Sequence, residues 1–122
     1  MREITAHKVN GLNEVLTINV MDEPGHGGAC HKYEICYSEA EGGGLLAGIN
    51  FQNGPIKEFG VNGISGEALL AIVRDRLECF QRGPYACYTN GSALVSVIGA
   101  MTALASRTKE RVERGVEGTN VV

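Results

Sequence analysis

The chain has 122 residues, a net charge of −3, no tryptophan and four cysteines. This length suffices for one compact domain, or for two small subdomains that share a core. The negative net charge excludes binding of DNA or RNA polymers through a broad basic face, because neutralising a phosphate backbone requires an excess of Lys and Arg.

The first half of the sequence predicts β-strands. Four stretches carry alternating or β-branched apolar residues, and turn signals such as Asn10-Gly11 and glycines 42–44 separate them. The stretches cover residues 2–9, 14–22, 30–38 and 45–52. This spacing favours an antiparallel meander, with residues 24–28 as a loop between two strands.

The second half predicts two helices. The first covers residues 66–82, with Ser65 as its N-cap. The second begins near Asn90, whose side chain suits an N-cap, and runs to about Arg114 before Gly115. At 1.5 Å per residue the second helix is roughly 37 Å long, so its last turns extend beyond the first helix. A short turn between them predicts an antiparallel two-helix hairpin.

These elements predict an α+β fold, with residues 1–60 as the antiparallel sheet and residues 61–122 as the helical hairpin and C-terminal tail of one compact unit. Small residues on the second helix permit close approach of another helix, so we expect a homo-oligomer. The longest apolar stretch, around residues 93–105, is too short to span a bilayer, and the charged first ten residues lack a signal peptide. We therefore expect a cytoplasmic protein without a membrane partner.

Three arginines share one face of the second helix. Arg107, Arg111 and Arg114 are spaced i, i+4 and i+7, and guanidinium groups suit bidentate contacts with phosphate. The alternative is a solvated helix end, in which Glu110 and Glu113 neutralise the arginines and the cations complement the helix dipole. The residues alone leave both interpretations open.

No arrangement typical of catalysis is present. The segment "HGGACHKYEIC" clusters histidines and cysteines, but its spacing matches no common zinc site, and neighbours on a strand point to opposite faces. The glycine-rich stretches lack the strand-to-helix context of a phosphate-binding loop, and no serine lies in a catalytic motif. We expect reduced cysteines, no catalytic residues, no metal and no cofactor, and therefore a protein that is not an enzyme.

Three segments together resemble one known family: "FQNGPIKEFGVNGISGEALLAIVRDRL", "FQRGPYAC" and "RTKERVERGVEGTNVV". They are similar to the Thoeris anti-defence sponge family of phage proteins, whose helical hairpin resembles that of the anti-CBASS cyclic-oligonucleotide sponges. The resemblance implies sequestration without catalysis in the host bacterial cytoplasm. Members bind cyclic signals made by bacterial defence enzymes, notably glycocyclic ADP-ribose, and so prevent activation of the Thoeris effector. They assemble as dimers or hexamers with ligand pockets between protomers.

The resemblance also implies roles for four residues. Phe80 would stack on the adenine, Asn90 would hydrogen-bond a base edge or a ribose hydroxyl, and Arg107 and Arg111 would neutralise the diphosphate. Because Asn90 and Arg107 lie roughly 25 Å apart along one helix, one protomer cannot bring both to a small ligand. Antiparallel helices of two protomers would, so the pocket requires the oligomer.

Two weaker candidates and two alternatives accompany this hypothesis. Lys57 offers another cation, and Thr119 lies in a tail whose glycines let backbone N–H groups approach phosphate. Some family members also bind cyclic di- or trinucleotides, but the segment "GSALVSVIG" lacks the longer polar side chains that we expect for that site. The alternatives are a sponge mainly for CBASS cyclic di- or trinucleotides, and an oligomeric interaction protein that binds no ligand.

Overall fold

A computed structural model describes residues 1–122 and divides the chain into two compact units, Met1–Ile64 and Ser65–Val122. The first unit contains the β-strands, and the second contains two long helices. The predicted α+β class and the four-stranded antiparallel sheet are confirmed.

The sheet is a meander in which each strand pairs with the next one along the chain. The strands are β1 (Arg2–Ile4), β2 (Leu16–Val20), β3 (Lys32–Tyr37) and β4 (Leu45–Asn50). Val20 lies opposite Arg2 on one side and Tyr33 on the other, and Tyr33 lies opposite Ile49. Val20 thus lies on a strand that is flanked on both sides, and it is 1% exposed.

The strands are shorter than their apolar patterns predict, most clearly at the first one. After Ile4 the backbone turns, with Lys8 N–H donating to the Thr5 carbonyl at 3.0 Å. Asn10 then begins a short helix, α1 (Gly11–Glu14), because its side chain accepts from Asn13 N–H at 2.9 Å. The turn at residues 5–8 thus takes up positions that the apolar pattern assigned to the first strand.

The loop between β2 and β3 is tied to the sheet by Asp22. Its carboxylate accepts from the backbone N–H groups of His31, at 3.0 Å, and Lys32, at 3.1 Å. Partial desolvation raises the pKa of Asp22, but these backbone hydrogen bonds, chiefly that from His31, together with the nearby His31 charge, outweigh it and hold the pKa below 3.8. The loop also contains a 3₁₀ turn at His26–Gly28.

Residues 52–62 form a closed loop around the short helix α2 (Ile56–Phe59). Gln52 donates to the carbonyls of Gly54 and Gly60, while Asn62 exchanges hydrogen bonds with the backbone of Asn53. The loop ends where Ile64 forms a parallel bridge with Phe51.

The second unit consists of α3 (Gly66–Gln81), α4 (Tyr88–Glu113) and the residues that follow them. Ser65 caps α3, as predicted, by accepting from Ala68 N–H at 3.1 Å. The two helices pack against each other and are joined by residues 82–87. By the rise per residue they are about 24 and 39 Å long, so α4 is much the longer.

Few side chains are buried in either unit. Val20 and Cys30 are the buried apolar residues, and the buried polar ones are His31 and Arg111. No apolar residue of α3 or α4 is fully buried. No helix combines the length and the apolar character needed to cross a membrane.

Candidate functional site

The last turn of α3 carries the first predicted site residue, Phe80. Its half-buried ring lies 6.0 Å from the Tyr85 ring, at an interplanar angle of 61°. The guanidinium carbon of Arg76 lies 4.9 Å from the Phe80 centroid. Arg76 therefore lies over one face of the Phe80 ring, where a stacked base would have to displace it.

Asn90 lies in the first turn of α4, and its predicted role as the N-cap is wrong. The N-cap is Cys87, whose Sγ accepts from Asn90 N–H at 3.4 Å. The Asn90 side chain instead donates from Nδ2 to the Tyr85 carbonyl at 3.2 Å. Its Oδ1 has no partner within the chain and remains an acceptor for a ligand. Phe80 and Asn90 are thus both in contact with Tyr85.

Gln81 holds this connection in place, which sequence analysis did not anticipate. Its side chain accepts from Cys87 N–H and donates to the Cys87 carbonyl, both at 3.0 Å. A Cβ on Gly91 would lie 3.1 Å from Gln81 Nε2, so glycine permits this approach. A glutamine followed closely by a turn is too common a pattern to predict this pair of hydrogen bonds.

A cleft of about 630 Å³ adjoins the Gln81 side chain. Its lining residues are Gln81, Cys87, Tyr88, Gly91, Ser92 and Val95. Tyr88 is 90% exposed, so its ring presents an uncovered aromatic face at the start of α4. Sequence analysis also missed Tyr88. The only indication in the sequence was the position of an aromatic residue directly after the turn.

The cations predicted to bind phosphate differ in their surroundings. Arg107 is exposed and forms neither an ion pair nor a side-chain hydrogen bond within the chain. Lys57, in α2 of the first unit, is likewise exposed and unpaired. Arg114 is occupied, because it pairs with Glu110 and donates to the Val122 carbonyl. Arg114 thus has the acidic partner that the helix-end interpretation gives it, whereas Arg107 is solvent-exposed and has no acidic partner within the chain.

Arg111 requires a correction, because the structure places it inside the protein. Arg111 is 5% exposed, and its guanidinium donates to the Glu117 carboxylate and to three backbone carbonyls of the chain that follows α4. Thr119 supplies one of these carbonyls, and its hydroxyl donates to Val116. In this arrangement neither Arg111 nor the Thr119 hydroxyl is available to phosphate.

Cysteine and histidine side chains form no site of their own. All four cysteines are free thiols, and no group of three or more His, Cys, Asp or Glu side chains is arranged to hold a metal ion.

Comparison with known proteins relates the chain to one phage protein. No protein-family model matches it. Thoeris anti-defense 1 from Bacillus phage SBSphiJ7 is 46% identical to it over 77 residues, or 63% of this chain and 54% of that relative. This similarity confirms the predicted resemblance to the Thoeris anti-defence family. The matched region spans about half the length of the curated relative.

The residues that the Thoeris anti-defence resemblance assigns to a ligand do not all meet within one chain. Phe80 and Asn90 lie together at the start of α4, whereas Arg107 follows Asn90 by roughly 25 Å of helix. Arg111 lies about one turn further on and is engaged by its own chain. A single chain therefore offers an aromatic and amide group at one end of α4, and one unpaired arginine near the other.

Proposed function

We propose that the protein is a phage anti-defence sponge, which binds an intact cyclic ADP-ribose-type signal, glycocyclic ADP-ribose, and withholds it from the Thoeris effector. The observation that carries this proposal is the identity with Thoeris anti-defense 1. The chemistry of the two helices supports it, since the Phe80 ring, the Asn90 amide oxygen and the unpaired Arg107 guanidinium suit a base, a ribose and a diphosphate.

Binding of one small ligand requires two copies of the chain. Asn90 and Arg107 are too far apart along α4 to contact the same ligand, but two α4 helices that run antiparallel bring Asn90 of one copy close to Arg107 of the other. The uncovered apolar side chains favour such association, because Ile72 is 66% exposed and Val95 is 71% exposed. Their burial between copies provides a hydrophobic contribution that the single chain lacks.

Calorimetry with glycocyclic ADP-ribose tests the binding site. Arg107→Ala removes a charge-assisted contact with the diphosphate, so we expect affinity to fall by about 10- to 100-fold. Lys109→Ala is the matched control, because it removes the same charge from a neighbouring exposed position and should change affinity by less than about threefold. Equal losses in the two variants would indicate general electrostatic attraction and contradict a site at Arg107.

Subunit mixing tests whether the pocket lies between copies. Asn90→Ala and Arg107→Ala each damage every pocket of a symmetric dimer. A mixed dimer of the two variants regains one pocket, which combines the intact Asn90 of one chain with the intact Arg107 of the other. We therefore expect mixing after mild dissociation to restore about a quarter of the wild-type sites. No recovery, with mixing verified by mass spectrometry, would place each pocket within one chain.

Recovery of the ligand tests the absence of catalysis. Incubation with glycocyclic ADP-ribose, followed by heat denaturation and chromatography, should return the nucleotide unchanged and in amounts stoichiometric with the protein. A cleaved product would show that the protein is an enzyme. The same experiment with cyclic di- and trinucleotides separates a Thoeris sponge from a CBASS sponge, and failure to bind any of them would favour an interaction protein.

A further inference from the structure

A second, smaller cleft lies in the first unit, at the end of the β3–β4 pair. Its volume is about 200 Å³, below the roughly 300–1,000 Å³ of pockets that hold drug-sized ligands. The lining includes a lysine and no acidic residue, so the cleft favours a small ligand with negative charge. The lining residues are His31, Lys32, Asn50, Phe51, Asn53 and Asn62.

His31 offers one free ring nitrogen at this cleft. The residue is 8% exposed, and its Nε2 lies 3.1 Å from the His26 carbonyl. Because a carbonyl only accepts, Nε2 carries the hydrogen, and Nδ1 of the neutral ring is an acceptor. The Cδ2 edge of the ring faces Gly25, where a Cβ would lie 3.3 Å from Cδ2. Nδ1, on the opposite edge, has no partner within the chain and is not sealed off from solvent.

Lys32 and Asn50 form a pair of free polar side chains across the sheet. They are direct partners in the β3–β4 register, and Phe51 N–H donates to the His31 carbonyl at 2.8 Å. The neighbouring Lys32–Asn50 pair is therefore a non-hydrogen-bonded one, in which side chains lie closest, with Cβ atoms about 4.5–5.5 Å apart. Neither side chain forms an ion pair within the chain, so both can bind a ligand.

Asn53 adds an amide group next to His31. Its backbone is fixed by Asn62, whose Oδ1 accepts from Asn53 N–H and whose Nδ2 donates to the Asn53 carbonyl, both at 2.8 Å. A Cβ on Gly25 would lie 3.3 Å from Asn53 Oδ1 as well as from the His31 ring, so the two side chains are neighbours. Asn62 thus has a structural role, and it places the free Asn53 amide at the cleft.

We propose that this cleft binds inorganic phosphate as the monohydrogen ion. Lys32 supplies positive charge, the amides of Asn50 and Asn53 donate to phosphate oxygens, and the phosphate O–H donates to His31 Nδ1. Sulfate and the dianion of a phosphomonoester carry no O–H, so they leave Nδ1 unpaired. A site that uses a ligand O–H discriminates against analogues that lack it. The inference goes beyond the proposed function, because it concerns another ligand and the first unit.

Anion titrations of the wild-type protein test this selectivity. Amide signals in a ¹H–¹⁵N correlation spectrum report binding, at about pH 8 so that a histidine ring is neutral, and at constant ionic strength. Inorganic phosphate should shift signals of residues 31–32 and 50–53, with a dissociation constant of about 1 mM. Sulfate and adenosine monophosphate should each bind at least about fivefold more weakly, because they lack the O–H.

Two variants test the lining residues. Lys32→Gln removes the charge and should weaken phosphate binding about 10-fold, whereas the matched control Lys109→Gln, at an exposed position of the second unit, should stay within about twofold of wild type. Asn50→Asp places a carboxylate opposite Lys32, where it pairs with the lysine and repels the anion. Phosphate should then cause no measurable shifts, although the exposed position keeps the fold intact.

The results separate this inference from the proposed function. Equal affinities for phosphate, sulfate and adenosine monophosphate would mean that the cleft recognises charge alone, and the inference would be wrong. Phosphate binding that is unchanged in Lys32→Gln, or no phosphate-induced shifts in the wild type, would also overturn it. None of these results affects the sponge proposal, whose tests use glycocyclic ADP-ribose and side chains of the second unit.

Discussion

Removing the guanidinium of Arg111 should destabilise the second unit. Arg111→Ala removes four hydrogen bonds from a residue that is 5% exposed, one of them to a carboxylate. A typical hydrogen bond contributes about 1 kcal/mol net, but the acceptors in residues 116–121 become hydrated once the guanidinium is gone, so we expect a loss of about 2 to 3 kcal/mol in the free energy of unfolding.

This loss should be visible in helix melting. For a chain of this length, 1 kcal/mol corresponds to about 4 °C, so circular dichroism at 222 nm should show a fall in melting temperature of about 8 to 12 °C. Arg107→Ala is the matched control, because Arg107 is exposed and unpaired, and its effect should stay within about 0.5 kcal/mol. Equal melting temperatures for the two variants would refute the burial of Arg111 that the reasoning assumes.

Two further predictions concern the first unit. The folded pKa of Asp22 lies below 3.8, so its contribution to stability is complete above that pH and is lost as the pH falls through the folded value. Asp22→Asn should therefore lower the urea midpoint at pH 7, and the difference from wild type should shrink as the pH is lowered below 3.8. Gly63→Ala would place a Cβ in steric overlap with the backbone carbonyl of Phe51, and should cost more than about 2 kcal/mol in urea unfolding. Gly48→Ala, with open space around it, should cost far less, and similar losses in both would contradict the packing.

The sequence contained enough local information to predict the secondary structure and the relationship to known proteins. Period-two apolar patterns predicted the meander, and a serine before an amphipathic stretch predicted the start of α3 at Ser65, because caps and periodicity act between near neighbours. The limits of β1 and the cap of α4 were wrong. A backbone turn after Ile4 and the thiol of Cys87 made local hydrogen bonds that several neighbouring residues could have made equally well.

Only the tertiary structure decided which of the predicted site residues are available. Arg107 and Arg111 look equivalent in sequence, one helical turn apart on the same face, yet one is exposed and unpaired and the other is buried. The difference arises after the helix, where two glycines with positive φ return the chain and bring carbonyl groups from positions 116, 119 and 121 around a single guanidinium. Backbone carbonyls have no identity in a sequence, so their convergence on Arg111 can be recognised only after the chain has folded.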